Sequence, residues 1–220
     1  MSAAEPVLRV EGVSKTFRYR PYARGTLTLK SALLEALLLK AELALQESNM
    51  AESERLLSRV LSNRKASKGT KARAHTMLAK ALFKKGQTEQ AVNAIRRAMA
   101  LDSTSPQTVG LYCRLMFLTQ NFREAYQAAV MGAKRGLRSP DIYEILGRLE
   151  LQQKQPEKAA GALSQALKLE PENPVLHFLM AVALRAMGRT DAALRAAREA
   201  EKRAPDMAEI KKLIRDLTGG

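Results

Sequence analysis

Few residues in this chain could carry chemistry: two histidines, one cysteine and a large surplus of cations. A metal needs three or four converging ligands. His75 and His177 stand at equivalent points of a repeating pattern, three periods apart, and cannot close on one ion. Both read as packing residues. Cys113 could act as a nucleophile only beside a positioned base, and no His is expected near it. It reads as a small buried apolar residue. No Ser-His-Asp set, HExxH, CxxC or EF-hand loop is present. No carboxylate pair suggests acid–base work; Glu144 and Glu150, with Arg148 nearby, read as surface charge. The expected catalytic, metal and cofactor residues are therefore none, and the chain is not expected to be an enzyme.

Charge is the stronger signal. Lys and Arg number 37 against 22 Asp and Glu, a formal net charge of +15 with a sequence pI near 10.2. Such a balance favours an acidic protein, a nucleic acid or an anionic surface as partner. Between Arg55 and Thr88 stand ten basic residues and no acidic one. Arg55, Arg59, Arg64, Lys65, Lys68 and Lys71 form the first part of that run and could make one patch for phosphates or acidic protein. Only Phe83 interrupts it with an aromatic ring, so stacking of single-stranded bases has little support.

The positioning elements follow from periodicity. From about Thr28 the apolar pattern is helical: Leu29, Leu33, Leu34, Leu37, Leu38, Ala41 and Leu45 form one stripe. A second helix, around 51–62, buries Leu56, Leu57, Val60 and Leu61. After a polar connection at 62–71 the register repeats every 34 residues. One position reads His75, Val109, Tyr143, His177. A small residue recurs on each second helix as Ala91, Ala125, Ala159 and Ala193, then again as Ala98, Gly132, Ala166 and Ala200. Small residues at a fixed place let two helix backbones approach closely. Gly86 and Gly188 fall in turns where positive φ is useful. Pro106, Pro140 and Pro174 open first helices, and Pro171 and Pro205 follow second ones.

Residues 140–171 carry the pattern most fully: Tyr143, Leu146-Gly147, then Ala159, Leu163, Ala166 and Pro171. They resemble the tetratricopeptide repeat, a helical pair of about 34 residues, with Tyr for the usual Trp, Leu163 for Phe, and Glu150 where an aromatic is usual. The resemblance implies an all-α, right-handed α-solenoid of about five helical pairs. These would span about 30–64, 72–103, 106–137, 140–171 and 174–205, with a capping helix at 206–217. The resemblance further implies a concave groove lined by positions two, five, six, nine, twelve and thirteen of the first helices. Lys80, Arg114 and Arg148 hold position nine; Arg73, Lys84 and Arg185 hold positions two, thirteen and twelve. Such a groove would make the chain a scaffold or adaptor for an acidic peptide or protein segment. The family's C-terminal carboxylate clamp also uses Asn, which is missing at these places.

Residues 1–27 form a non-repeat arm in which 7–20, VLRVEGVSKTFRYR, alternates like a strand. Residues 7–38 resemble the start of ATP-binding subunits of ABC transporters of the polysaccharide-export type, where an aromatic matching Phe17 or Tyr19 stacks on adenine. The resemblance implies, as a further alternative, an accessory part in a transporter or other multiprotein assembly. No phosphate loop GxxxxGK[ST] follows, so an ATP site is not expected. The apolar helix at 31–46 is interrupted by Glu35, Lys40, Glu42 and Gln46 and reads as buried rather than membrane-spanning. A single cysteine and no signal-like segment place the chain in the cytoplasm by expectation.

Overall fold

The computed structural model describes Val7–Leu8, Phe17–Arg18 and residues 29–219. The chain divides into two compact units, Met1–Ser103 and Thr104–Gly220. The boundary falls between the second and third expected helical pairs.

In the first unit, β1 (Val7–Leu8) and β2 (Phe17–Arg18) pair antiparallel, with Val7 opposite Arg18 and Leu8 opposite Phe17. The strand expected within 7–20 is thus two short strands that pair with each other. The rest of the stretch resembling transporter subunits lies outside the described residues up to the first helix. Four helices follow: α1 (Leu29–Gln46), α2 (Met50–Ser62), α3 (Lys68–Lys84) and α4 (Thr88–Leu101). Local chemistry sets their starts. The Asn49 side chain accepts from Glu52 N at 3.2 Å, and Ser67 Oγ accepts from Thr70 N at 3.0 Å. Each bond satisfies a donor that a helix start otherwise leaves orphaned. Leu34, Leu38, Ala41, Leu56, Leu57, Val60, Ala66 and Ala74 form one core among α1, α2 and α3. Leu33, expected in the α1 stripe, is instead 56% exposed. Among the described elements α1 packs only on α2 and α3, and Leu33 lies on its uncovered side.

The second unit holds α5 (Pro106–Leu118), α6 (Phe122–Lys134), α7 (Pro140–Gln152), α8 (Pro156–Leu169), α9 (Pro174–Ala186), α10 (Thr190–Arg203) and α11 (Ala208–Thr218). Pro106, Pro140 and Pro174 stand at the first turn of α5, α7 and α9, and Pro156 does the same for α8. Each even-numbered helix from α6 to α8 packs on its own first helix and on the next one. That is the stacking of helical hairpins in an α-solenoid. The first helices also touch directly, α5 on α7 and α7 on α9. The small residues stand where close approach requires them: Ala125, Ala159 and Ala193 are fully buried, as is Ala166. Helix α11 covers α10 and α9 through Ile210 and Leu213, with Ile214 and Leu217 beside them. The expected cap is therefore present. No helix among the described residues is long and apolar enough to cross a membrane.

Candidate functional site

The first helices carry the candidate cations, and the structure gives most of them an internal partner. In the first unit, Arg73 on α3 donates through Nη1 to Glu35 Oε2 of α1 at 2.6 Å. Lys84 Nζ donates to the Leu45 carbonyl at 3.2 Å, near the C-terminus of α1, where the helix dipole favours a cation. Lys80 is exposed and has no ion-pair partner among the described residues.

In the second unit, Arg114 of α5 meets Asp141 and Glu144 of α7; Nη2 pairs with an Asp141 carboxylate oxygen and lies 3.7 Å from Glu144 Oε2. Arg148, one turn along α7, donates through Nε to Glu144 Oε1 at 2.8 Å. Glu144 therefore holds two guanidinium groups, one on its own helix and one across the α5–α7 contact. Its side chain is only 12% exposed. Burial pushes the Asp141 carboxyl above its usual range, opposed by the Arg114 guanidinium. Arg185 of α9 lies 3.5 Å from Asp216 of α11. Of the six cations assigned to the groove by resemblance, four are thus arginines paired with carboxylates of neighbouring turns or helices.

The run at 55–85 differs. Arg55 is paired with Glu52 at 2.8 Å, and Lys85 with Glu54 at 2.9 Å. Arg59, Arg64, Lys65 and Lys68 are exposed, Lys71 is half-buried, and none has an ion-pair partner among the described residues. They gather where α2 ends, the connection turns and α3 begins. The first turn of α3 carries no acid, although a helix N-terminus favours one.

Cys113 is buried, and burial pushes its thiol up to about 12. His75 is half-buried. Burial, with Arg97 and Lys71 nearby, lowers its pKa. A ring nitrogen of His177, Nε2, lies 2.7 Å from the Pro171 carbonyl and ties α9 to the preceding turn. Glu150, read as surface charge, is buried with 6% exposure, and its Oε2 has no hydrogen-bond partner. The cause is its register: Glu150 occupies the inward slot that the repeat gives to an aromatic.

One feature escaped the sequence reading because only cations were sought there. Phe117 and Leu118 fill positions twelve and thirteen of α5, and Phe122 opens α6. Leu118 is 51% and Phe122 38% exposed. The Phe117 and Phe122 rings meet edge to face at 5.4 Å, and the Arg148 guanidinium stands 6.0 Å from the Phe117 ring centre. The signal was legible: two of the chain's five Phe lie five residues apart across a predicted turn.

Comparison with known proteins fits this geometry. Tetratricopeptide-repeat family models match residues 72–105, 119–174 and 150–217, together more than half of the chain. No curated protein matches the sequence. Among solved structures, one described as a functional characterization of Pseudomonas aeruginosa pilF superposes with a TM-score of 0.76 at 22% identity, covering 87% of this chain and 86% of that one. A thermophilic TPR protein of Thermus thermophilus gives 0.59 at 17% identity, over 85% of this chain and all of that one (100%). YrrB, described as a TPR protein with an unusual peptide-binding site, gives 0.61 at 18% identity, over 74% of this chain and 82% of that one. The recurring small residues, the hairpin stacking and the matched segments have one explanation: this chain belongs to the tetratricopeptide-repeat family.

Proposed function

We propose that the chain is a non-enzymatic scaffold that holds an acidic peptide or protein segment against the face of its first helices. The repeat fold, typical of protein-interaction scaffolds, supports this reading. The observation that carries it is the anchoring of Arg148. Its Nε is occupied by Glu144, its Cζ lies over the Phe117 ring, and its Nη groups have no partner among the described residues. A guanidinium already held in place loses little freedom when a second carboxylate arrives. Arg114, anchored by the same Glu144, supplies further donors.

Arg114 and Arg148 face Asp141 and Glu144, so the local charges nearly balance. Recognition there works through directed, charge-assisted hydrogen bonds and is only weakly sensitive to salt. Binding of a fluorescein-labelled oligoglutamate peptide, read by anisotropy, tests this. Replacing Arg114 and Arg148 together with Gln should weaken it at least tenfold at unchanged helicity. Unaltered binding would sink the reading. Gln is the better replacement, since Glu would add repulsion beside Glu144.

A second reading rests on the corner between α2 and α3. The unpaired state of Arg59, Arg64, Lys65, Lys68 and Lys71 favours a phosphate-bearing polymer or anionic surface there. Random duplex DNA is the probe. Binding should fall steeply with salt, by about 0.9 in log slope for each phosphate neutralised, and should vanish when these five become Gln. A flat salt response would exclude it.

A further inference from the structure

Three large apolar side chains are exposed among the described residues, and two of them, Leu118 and Phe122, lie on either side of one turn. Scattered single apolar residues on a surface need no explanation, but contiguous ones mark contact sites. Here the half-buried Phe117 ring meets Phe122 edge to face at 5.4 Å, and Leu118 follows Phe117 in the chain. The turn between them is tightly held. Gln120 N donates to the Phe117 carbonyl at 3.0 Å and Asn121 N to the Met116 carbonyl at 2.8 Å. Asn121 Nδ2 donates to Thr119 Oγ1 at 2.9 Å. Gln120 adopts a φ of 61° to close it. The apolar surface is therefore presented by a fixed frame, the condition under which a few buried contacts dominate binding.

The charge around it selects the occupant. Residues 117–123, Phe-Leu-Thr-Gln-Asn-Phe-Arg, contain no acid, and Glu124, which follows, accepts a hydrogen bond from Tyr112 Oη at 2.6 Å. Arg148 stands over the Phe117 ring with its Nη donors unspent. We infer that the apolar patch of Phe117, Leu118 and Phe122 beside Arg148 docks a peptide segment that carries a large apolar side chain next to a carboxylate. The apolar group covers Leu118 and the exposed ring of Phe122, and the carboxylate accepts from Arg148. This rests on the acidic-segment reading and adds the apolar half of the determinant.

The test uses the full chain, labelled with ¹⁵N, and three soluble peptides: Gly-Ser-Phe-Glu-Gly-Ser, its Phe-to-Ala form and its Glu-to-Gln form. The Phe-Glu peptide should shift the amides of Leu118 and Phe122 and the Nε–H of Arg148. Each altered peptide should bind at least threefold more weakly. Leu118→Ser and Phe122→Ser, both at exposed positions and checked by circular dichroism, should weaken the Phe-Glu peptide to the same degree. Arg148→Lys should erase the advantage of Glu over Gln. Equal binding of the Phe-Glu and Ala-Glu peptides, with oligoglutamate still bound, overturns the apolar determinant and leaves the acidic reading standing. Equal binding of the Phe-Glu and Phe-Gln peptides, with oligoglutamate unbound, overturns both. Sedimentation that shows a dimer without peptide, lost in Leu118→Ser, assigns the apolar patch to a second copy and overturns the proposal.

Discussion

Gly147 of α7 and Leu163 of α8 compete for the same volume: a Cβ on Gly147 would lie 2.7 Å from Leu163 Cγ and 2.9 Å from Cδ2. Leu163 is fully buried and cannot swing away. Gly147→Ala should therefore cost about 1–3 kcal/mol by overpacking. Gly161, on the same α8 with nothing near its missing Cβ, is the control. Gly161→Ala should gain about 0.5–1 kcal/mol from helix propensity. Urea denaturation of both variants checks the pair. Equal effects would mean that the α7–α8 approach does not need glycine.

Positive φ recurs at Gly86, Gln120, Lys154 and Gly188, each 34 residues after the last. The turn inside every full repeat thus needs a left-handed residue, and two repeats meet the need without glycine. A side chain in that region costs about 1–2 kcal/mol. Lys154→Gly should accordingly stabilise the chain by a fraction of that cost, because glycine also frees the unfolded state. Gly188→Ala should destabilise it by about 1 kcal/mol. Thermal melts of the two variants should move in opposite directions.

Burial raises the Glu150 pKa, and the nearby Lys158 only partly opposes it. A carboxyl whose folded pKa lies above its unfolded one favours folding most when protonated. Its contribution is fully present below the unfolded value and is lost as pH rises through the folded value. At neutral pH Glu150 therefore weakens the fold, and its Oε2 has no partner. Glu150→Leu should stabilise by about 1–3 kcal/mol at pH 7. The gain should shrink as pH falls toward the ordinary glutamate range. A pH-independent gain would assign the effect to packing alone.

A thiol held at about 12 is almost wholly protonated at neutral pH, and only the thiolate reacts readily. Native protein should resist iodoacetamide at Cys113 for hours, and denatured protein should label at the rate of a free thiol. Rapid native labelling, read by mass spectrometry, would show that α5 opens locally.

The sequence by itself determined the repeat, the helical pairs and the cap, because these depend on neighbours within about one turn and on a spacing that recurs. Ala159 and Ala166 declare a close helix approach, and Pro140 and Pro174 declare helix starts, whatever lies elsewhere. The same spacing put Lys80, Arg114 and Arg148 in one register but carried no information on what pairs with the cations. Arg148 finds Glu144 on its own helix, but elsewhere tertiary structure decided the partner, since it comes from another helix: Glu35 for Arg73, 38 residues away, and Asp216 for Arg185, 31 residues away. Burial of Glu150 and the meeting of Phe117, Phe122 and Arg148 have the same origin. Helical periodicity says which side of one helix a residue occupies, and only the packing of the next helix says what stands opposite.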